Sequence, residues 1–212
     1  EIYRCDWSSD VCSSDLLFTD LQYRFVKHIG KGKDNDLRNI DFLGEFHFFN
    51  PKAGFTFLND IHGLPTQFQG SISVGNREPA RSDFVDNNQG NIPKPERLVD
   101  YELGYRIESS KGHSINLNAY YMDYYNQLVL TGAVNDVGTP LRKNVDKSFR
   151  RGIELGTKIF LVKKANQSII LHANAAFSAN KIQQTQASWI DYATYEVVDS
   201  NFTNVDIAYS PN

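Results

Sequence analysis

The stretch from Val99 to Ile107 constrains this chain more than any other. Val99, Tyr101, Leu103, Tyr105 and Ile107 are apolar, while Asp100, Glu102, Gly104 and Arg106 between them are charged or lack a side chain. Successive side chains of a strand point to opposite faces, so this alternation predicts a strand with one oily face and one charged face. A helix would scatter the five apolar residues around its circumference and leave no stripe to bury. The oily face has two possible neighbours, the core of a soluble sandwich or lipid.

Alternation of the same kind predicts further strands in 17–30, 44–58, 68–76, 114–130, 151–162 and 168–181, with an eighth beginning at Phe202. Pro51 lacks a ladder donor and is expected near a strand end or at a bulge. Three features favour lipid. The oily runs Val99–Ile107, Ile153–Leu161 and Ile169–Phe177 each span about nine residues, the length of a tilted membrane strand. Polar segments at 31–39, 77–97, 132–148 and 182–201 read as long loops. They alternate with short ones, as in outer-membrane barrels. The faces opposite the oily ones carry Asp100, Glu102, Arg106, Glu154, Lys158, His172 and Asn174, groups suited to a wet lumen. The expected fold is therefore all-β, an antiparallel transmembrane β-barrel segment of about eight strands.

Composition supports strands: Phe 14 and Tyr 11, besides two Trp. No apolar run approaches the roughly 20 residues of a membrane helix. Residues 1–16 differ from the rest; they hold both cysteines, Cys5 and Cys12, and resemble a translated sequencing adapter, so they are expected to be a non-native leader ahead of a domain at 17–212. Without them the charge balances, 22 − 1 = 21 basic against 25 − 4 = 21 acidic residues, which gives no electrostatic case for nucleic acid.

Parity constrains the hairpin at SSKGH. Its lumen residues are even-numbered on both strands, so opposed pairs have an even sum. A three-residue loop of Lys111, Gly112 and His113 meets this and sets Gly104 opposite Tyr120, the missing side chain making room for the ring; another even register also fits.

Candidate site residues divide by position. Arg77, Glu78, Arg81 and Asp83 stand at a strand end and in the loop after it, where an Arg pair could grip an anionic ligand, although a structural network closing the loop is the preferred reading. Tyr120, Tyr121, Tyr124 and Tyr125 could stack on a ligand or form an interfacial girdle, the latter being favoured. Glu102 and Arg106 lie about 13 Å apart along one strand, too far to pair, so their partners are expected from adjacent strands or from a domain plugging the lumen that is missing here. The five histidines, including His172, lack metal-ligand spacing, and Asp34, Asn35 and Asp36 do not fit a calcium loop, so neither metal nor cofactor is expected. No nucleophile with a base and no phosphate loop is present, which disfavours an enzyme.

Several segments resemble TonB-dependent outer-membrane receptors of the form common in Bacteroidetes-like bacteria. They are FFNPKAGFTF, SISVGNREPARSDFVD, PKPERLVDYELGYR, LNAYYMDYYNQLVLTG, and NDVGTPLRKNV followed by FRRGIEL, in the family's order. The resemblance implies a barrel of about 22 strands around an N-terminal plug. It also implies a Gram-negative outer-membrane location, lipid as a partner, and TonB-driven uptake of an iron–siderophore complex, cobalamin or sugar. The plug and TonB box are not in this stretch, so the fragment alone is expected to be incapable of transport. Asp100, Glu102 and Arg106 then become candidates for seating the plug; Arg77, Arg81, Asp83, Tyr124 and Tyr125 become candidate ligand contacts. The competing readings are a soluble carbohydrate-binding β-sandwich and a non-specific porin-like channel.

Overall fold

A computed structural model describes residues 16–33, 39–86, 93–134, 138, 140–191, 193–207 and 210. Of the expected leader only Leu16 falls within this set, as the first residue of a strand, and Asp34, Asn35 and Asp36 lie outside it. The strands are β1 (Leu16–Lys33), β2 (Asn39–Ile61), β3 (Leu64–Arg77), β4 (Glu96–Glu108), β5 (Ser114–Val134), β6 (Pro140–Lys164), β7 (Gln167–Asp191) and β8 (Glu196–Asp206), with one short helix, α1 (Arg81–Asp86), between β3 and β4. They form one antiparallel sheet in sequence order. A soluble sandwich requires two facing sheets. The described residues make one, and the sandwich reading falls.

The register assembles the oily runs into a belt. Leu103 pairs with Ala119, Ala119 with Ile153, and Ile153 with Phe177. Leu103 is the middle of its run but Phe177 is the end of its own, so the belt slides along the ladder from strand to strand. Strand tilt in a barrel produces this drift. Leu103 is 52% exposed, Ile153 51% and Phe177 76%, because nothing among the described residues covers this face. No charged residue occupies an outward position of β4 to β7 within the runs 99–107, 115–121, 153–161 and 169–177.

The long-loop assignment needs correction. β5, β6 and β7 are 21, 25 and 25 residues long. Most of 132–148 and 182–201 is strand, and β8 begins at Glu196 rather than Phe202. At about 3.3 Å per residue these strands far exceed a hydrocarbon core of about 30 Å. Beyond lipid both faces meet water, so hydrogen-bonded pairing continues while apolar alternation disappears. The β6–β7 ladder ends at Ser148–Ile182, above which β6 stays with β5 and β7 with β8. Val145, Ile182 and Ile207, with Val129 against them, fill this fork as the only buried apolar cluster among the described residues.

Pro51 sits inside β2, opposite Leu21, at neither a strand end nor a bulge. The Phe49 carbonyl accepts from Asn76 Nδ2 of β3 at 3.3 Å, so odd residues of β2 turn their backbone groups toward β3. The backbone ladder with β3 starts only at Lys52–Ser73, and the donor Pro51 lacks is one that no ladder bond requires. The connector before β3 shrinks to a two-residue turn, His62–Gly63, with φ of 54° and 77°, as a type I′ turn demands.

The β4–β5 hairpin keeps the even parity but takes the other register. Gly104 faces Asn118, not Tyr120, and the loop is 109–113. Ser109 N–H donates to the His113 carbonyl at 2.8 Å, and Gly112, at φ +86°, donates to the Ser109 carbonyl at 2.7 Å. The His113 ring accepts the Phe160 N–H at 3.0 Å, which binds this turn to β6. Tyr120 does lie over a glycine, but over Gly152, where a Cβ would come within 2.7 Å of its hydroxyl.

Candidate functional site: the polar face and its outer rim

Even positions of β4, β5, β6 and β7 share the face opposite the belt. Reading across it, Arg106, Asn116, Gly156 and Asn174 form one row, and Gly104, Asn118, Glu154 and Ala176 the next. Amide side chains fold over the glycines: Gln69 would lie 2.8 Å from a Cβ at Gly104, and Asn174 3.3 Å from one at Gly156. Gln67 Nε2 donates to Gln69 Oε1 at 2.9 Å. The result is a shallow, amide-lined trough. Lys158 pairs with His172 across the ladder, with its ammonium 5.0 Å from the Phe160 ring centroid.

Arg106 finds its partner on its own strand, donating to Glu108 Oε2 at 2.9 Å. The expectation of a partner from another strand is thus corrected, since residues two apart share a face. Asp100, Met122 and Arg150 lie in one row. Asp100 Oδ1 and Arg150 Nε are buried with no hydrogen-bond partner among the described residues, and the Arg150 guanidinium sits 5.6 Å from the Tyr124 ring centroid.

At the long-connection end, Arg77 pairs with Glu96 at 2.6 Å, and the other oxygen of Glu96 accepts the Leu128 N–H at 2.5 Å. Arg24 holds Glu78 at 2.7 Å and donates to the Asn76 carbonyl at 2.9 Å. Burial opposes the charge of Glu78, but its own backbone N–H and the Arg24 guanidinium outweigh burial and hold its pKa below the ordinary carboxylate value. Asp83 accepts the Ala80 N–H at 2.8 Å and so caps α1. Arg81 is exposed. Phe84 stacks on Phe42 at 4.6 Å and 6° and on His28 at 6.1 Å and 25°. His28, Phe42 and Phe46 are all even-numbered, so α1 folds back over the polar face rather than standing away from it.

The tyrosine cluster is split by the strand period. Tyr120 and Tyr124 point to the polar face; Tyr121 and Tyr125 point outward. Arg24, Phe84, Glu96 and Arg150 escape a reading of the sequence as site residues because their partners lie on other elements. For Arg24 the alternation of β1 is the one available signal.

Residues 5–212 match the family described as TonB dependent receptor-like, β-barrel. The match starts within the segment 1–16. No curated protein matches the chain with significance. The chain belongs to the TonB-dependent receptor β-barrel family. This is a family of outer-membrane β-barrels that act as receptors in TonB-dependent uptake, with a plug domain and TonB as partners.

Proposed function

We propose that this barrel wall belongs to a receptor that imports an iron–siderophore complex, driven by TonB through the receptor's own plug domain. One observation carries the choice of ligand: the polar face gathers guanidinium and phenol groups toward its outer end, namely Arg77, Arg150 and Tyr124, with Arg81 exposed on α1. Guanidinium forks and phenol rings suit an anionic, aromatic chelate through charge-assisted bonds and stacking. Tyr125 faces outward and Asp83 caps a helix, so both are weaker candidates for ligand contact than Tyr124 and Arg81. Asp100, Glu102, Arg106, Glu154, Lys158 and His172 are assigned to the wall against which the plug seats.

The test is uptake by the full-length receptor in iron-limited cells. Ferric-siderophore uptake should require TonB and fall several-fold in an Arg77→Gln/Arg81→Gln variant. Uptake that persists without TonB rejects active transport. A sugar or cobalamin receptor is the second reading, supported by the amide trough of Gln67, Gln69, Asn116, Asn118 and Asn174; uptake of a labelled oligosaccharide, with no effect of iron supply, would replace the siderophore with it.

A further inference from the structure

Outward-facing cations gather at one end of the sheet. Arg97, Tyr125 and Lys147 form an outward row by register, Val99, Asp123 and Phe149 the next, and Tyr101, Tyr121 and Arg151 a third. The Lys147 ammonium lies 5.3 Å from the Tyr125 ring centroid and the Arg151 guanidinium 5.3 Å from that of Phe149, which stacks on Tyr121 at 6.1 Å and 12°. Asp123 is the one carboxylate in these rows. It is already engaged, accepting from the Tyr125 hydroxyl at 2.8 Å and lying 3.8 Å from Lys147. The patch therefore holds three cations against one occupied anion.

Its position gives this charge a purpose. Arg151 stands immediately beyond the uncharged run Ile153–Leu161 on β6, Arg97 immediately beyond Val99–Ile107 on β4, and both lie at the long-connection end. Aromatic rings flank all three cations, as at a membrane–water interface. Arg97 and Lys147 lie two inter-strand spacings apart, about 10 Å, and Lys147 and Arg151 four residue rises apart, about 13 Å. Such spacing suits a headgroup with more than one phosphate better than a single small anion. Cations that merely reach for water would show no preference for phosphate.

We propose that Arg97, Lys147 and Arg151 form a binding site for the phosphorylated headgroup of an outer-leaflet glycolipid, with Tyr121, Tyr125 and Phe149 packing beside it. The inference rests on the outer-membrane assignment and on the long-connection end lying at the outer leaflet, and is independent of the nutrient imported. Guanidinium forks grip phosphate oxygens bidentately, and the ammonium supplies a point charge between them.

Native mass spectrometry of the detergent-purified full-length receptor tests this, with a bis-phosphorylated glycolipid, its dephosphorylated form and inorganic phosphate as probes. The wild type should retain the phosphorylated lipid, and Arg97→Gln/Lys147→Gln/Arg151→Gln should retain at least about tenfold less, given the attraction per cation at an anionic surface. Lys111→Gln, in the turn at the opposite end, should match the wild type. Folding is checked by heat-modifiable gel migration, and Arg97→Gln alone serves if the triple variant does not fold. Equal retention by wild type and variant overturns the site. So does equal retention of the two lipids, and free phosphate competing as well as lipid would make it an anion site and overturn the lipid assignment.

Discussion

β5 and β6 pass through two regions that differ in everything except backbone pairing. Below the Ser148–Ile182 fork, Leu117 faces Leu155 and Ala119 faces Ile153 on an uncovered outward face, while Asn118 and Glu154 share the other. Above the fork the same two strands stay paired from Gln127–Val145 to Leu130–Arg142, yet Val145 is buried at 3% exposure and Leu128 at 7%. In the lower region the contrast between faces comes from two different surroundings, lipid and water. In the upper region Val145 packs with Val129, Ile182 and Ile207, and Leu128, next to Val129 in the strand, is buried apart from that cluster. Alternation thus records a difference in solvent across a strand, not strand pairing itself.

The largest effect that would break this comparison is a charge placed in the belt. Leu103→Arg should destabilise the full-length receptor by about 2–4 kcal/mol in urea unfolding from lipid vesicles, near the midplane value for barrels. Leu130→Arg, on the same sheet above the fork, should cost no more than about 1 kcal/mol. Equal costs would remove lipid from the lower region. Next, Gly152→Val should cost about 1–3 kcal/mol, since a Cβ there meets the Phe177 carbonyl at 2.6 Å and the Tyr120 ring; Gly75→Ala, with nothing within 4 Å, should leave the unfolding midpoint unchanged.

A smaller effect is expected at the fork. Ser148 is fully buried and donates to Gln127 Oε1 at 2.6 Å, so Ser148→Ala should cost about 1–2 kcal/mol in the same unfolding assay. The smallest concerns the loop after β3. The Glu78 pKa is lowered on folding, so its bond to Arg24 contributes fully above the ordinary carboxylate value and is lost as pH falls through the lowered one. Fluorescence of a Phe84→Trp reporter should be flat from neutral pH down to that range and then shift, and Glu78→Gln should abolish the shift.

Much of the lower region was legible in the residues. β4 is observed at Glu96–Glu108 around the alternating run, and the even parity of its pairing with β5 holds. The absolute register was not legible, because parity leaves two even registers open and the contact that joins this turn to β6, Phe160 to His113, links residues 47 apart in sequence. Tyr124 and Tyr125 are adjacent in sequence and read as one cluster until the strand period sends them to opposite faces. The chemical character of the polar face could be read from every second residue. Its pairings could not: Arg77 with Glu96 and Arg24 with Glu78 arise only once the strands are set side by side. Above the fork the sequence reads as loop, since pairing without a solvent contrast leaves no periodic trace.

The order of the strands also bears on how the sheet forms. Every ladder joins neighbours in sequence, and the two shortest connections, 62–63 and 165–166, lie at one end, while the longest, 78–95, lies at the other. Closing a short loop costs less chain entropy than closing a long one, so pairing is cheapest to start there and propagates away from those turns. The far end, where β6 and β7 part, is then the last to zip and the first to fray. A receptor built this way keeps its stiffest hydrogen-bond ladders at the turn end and leaves its outer end free to rearrange without unpicking the wall below.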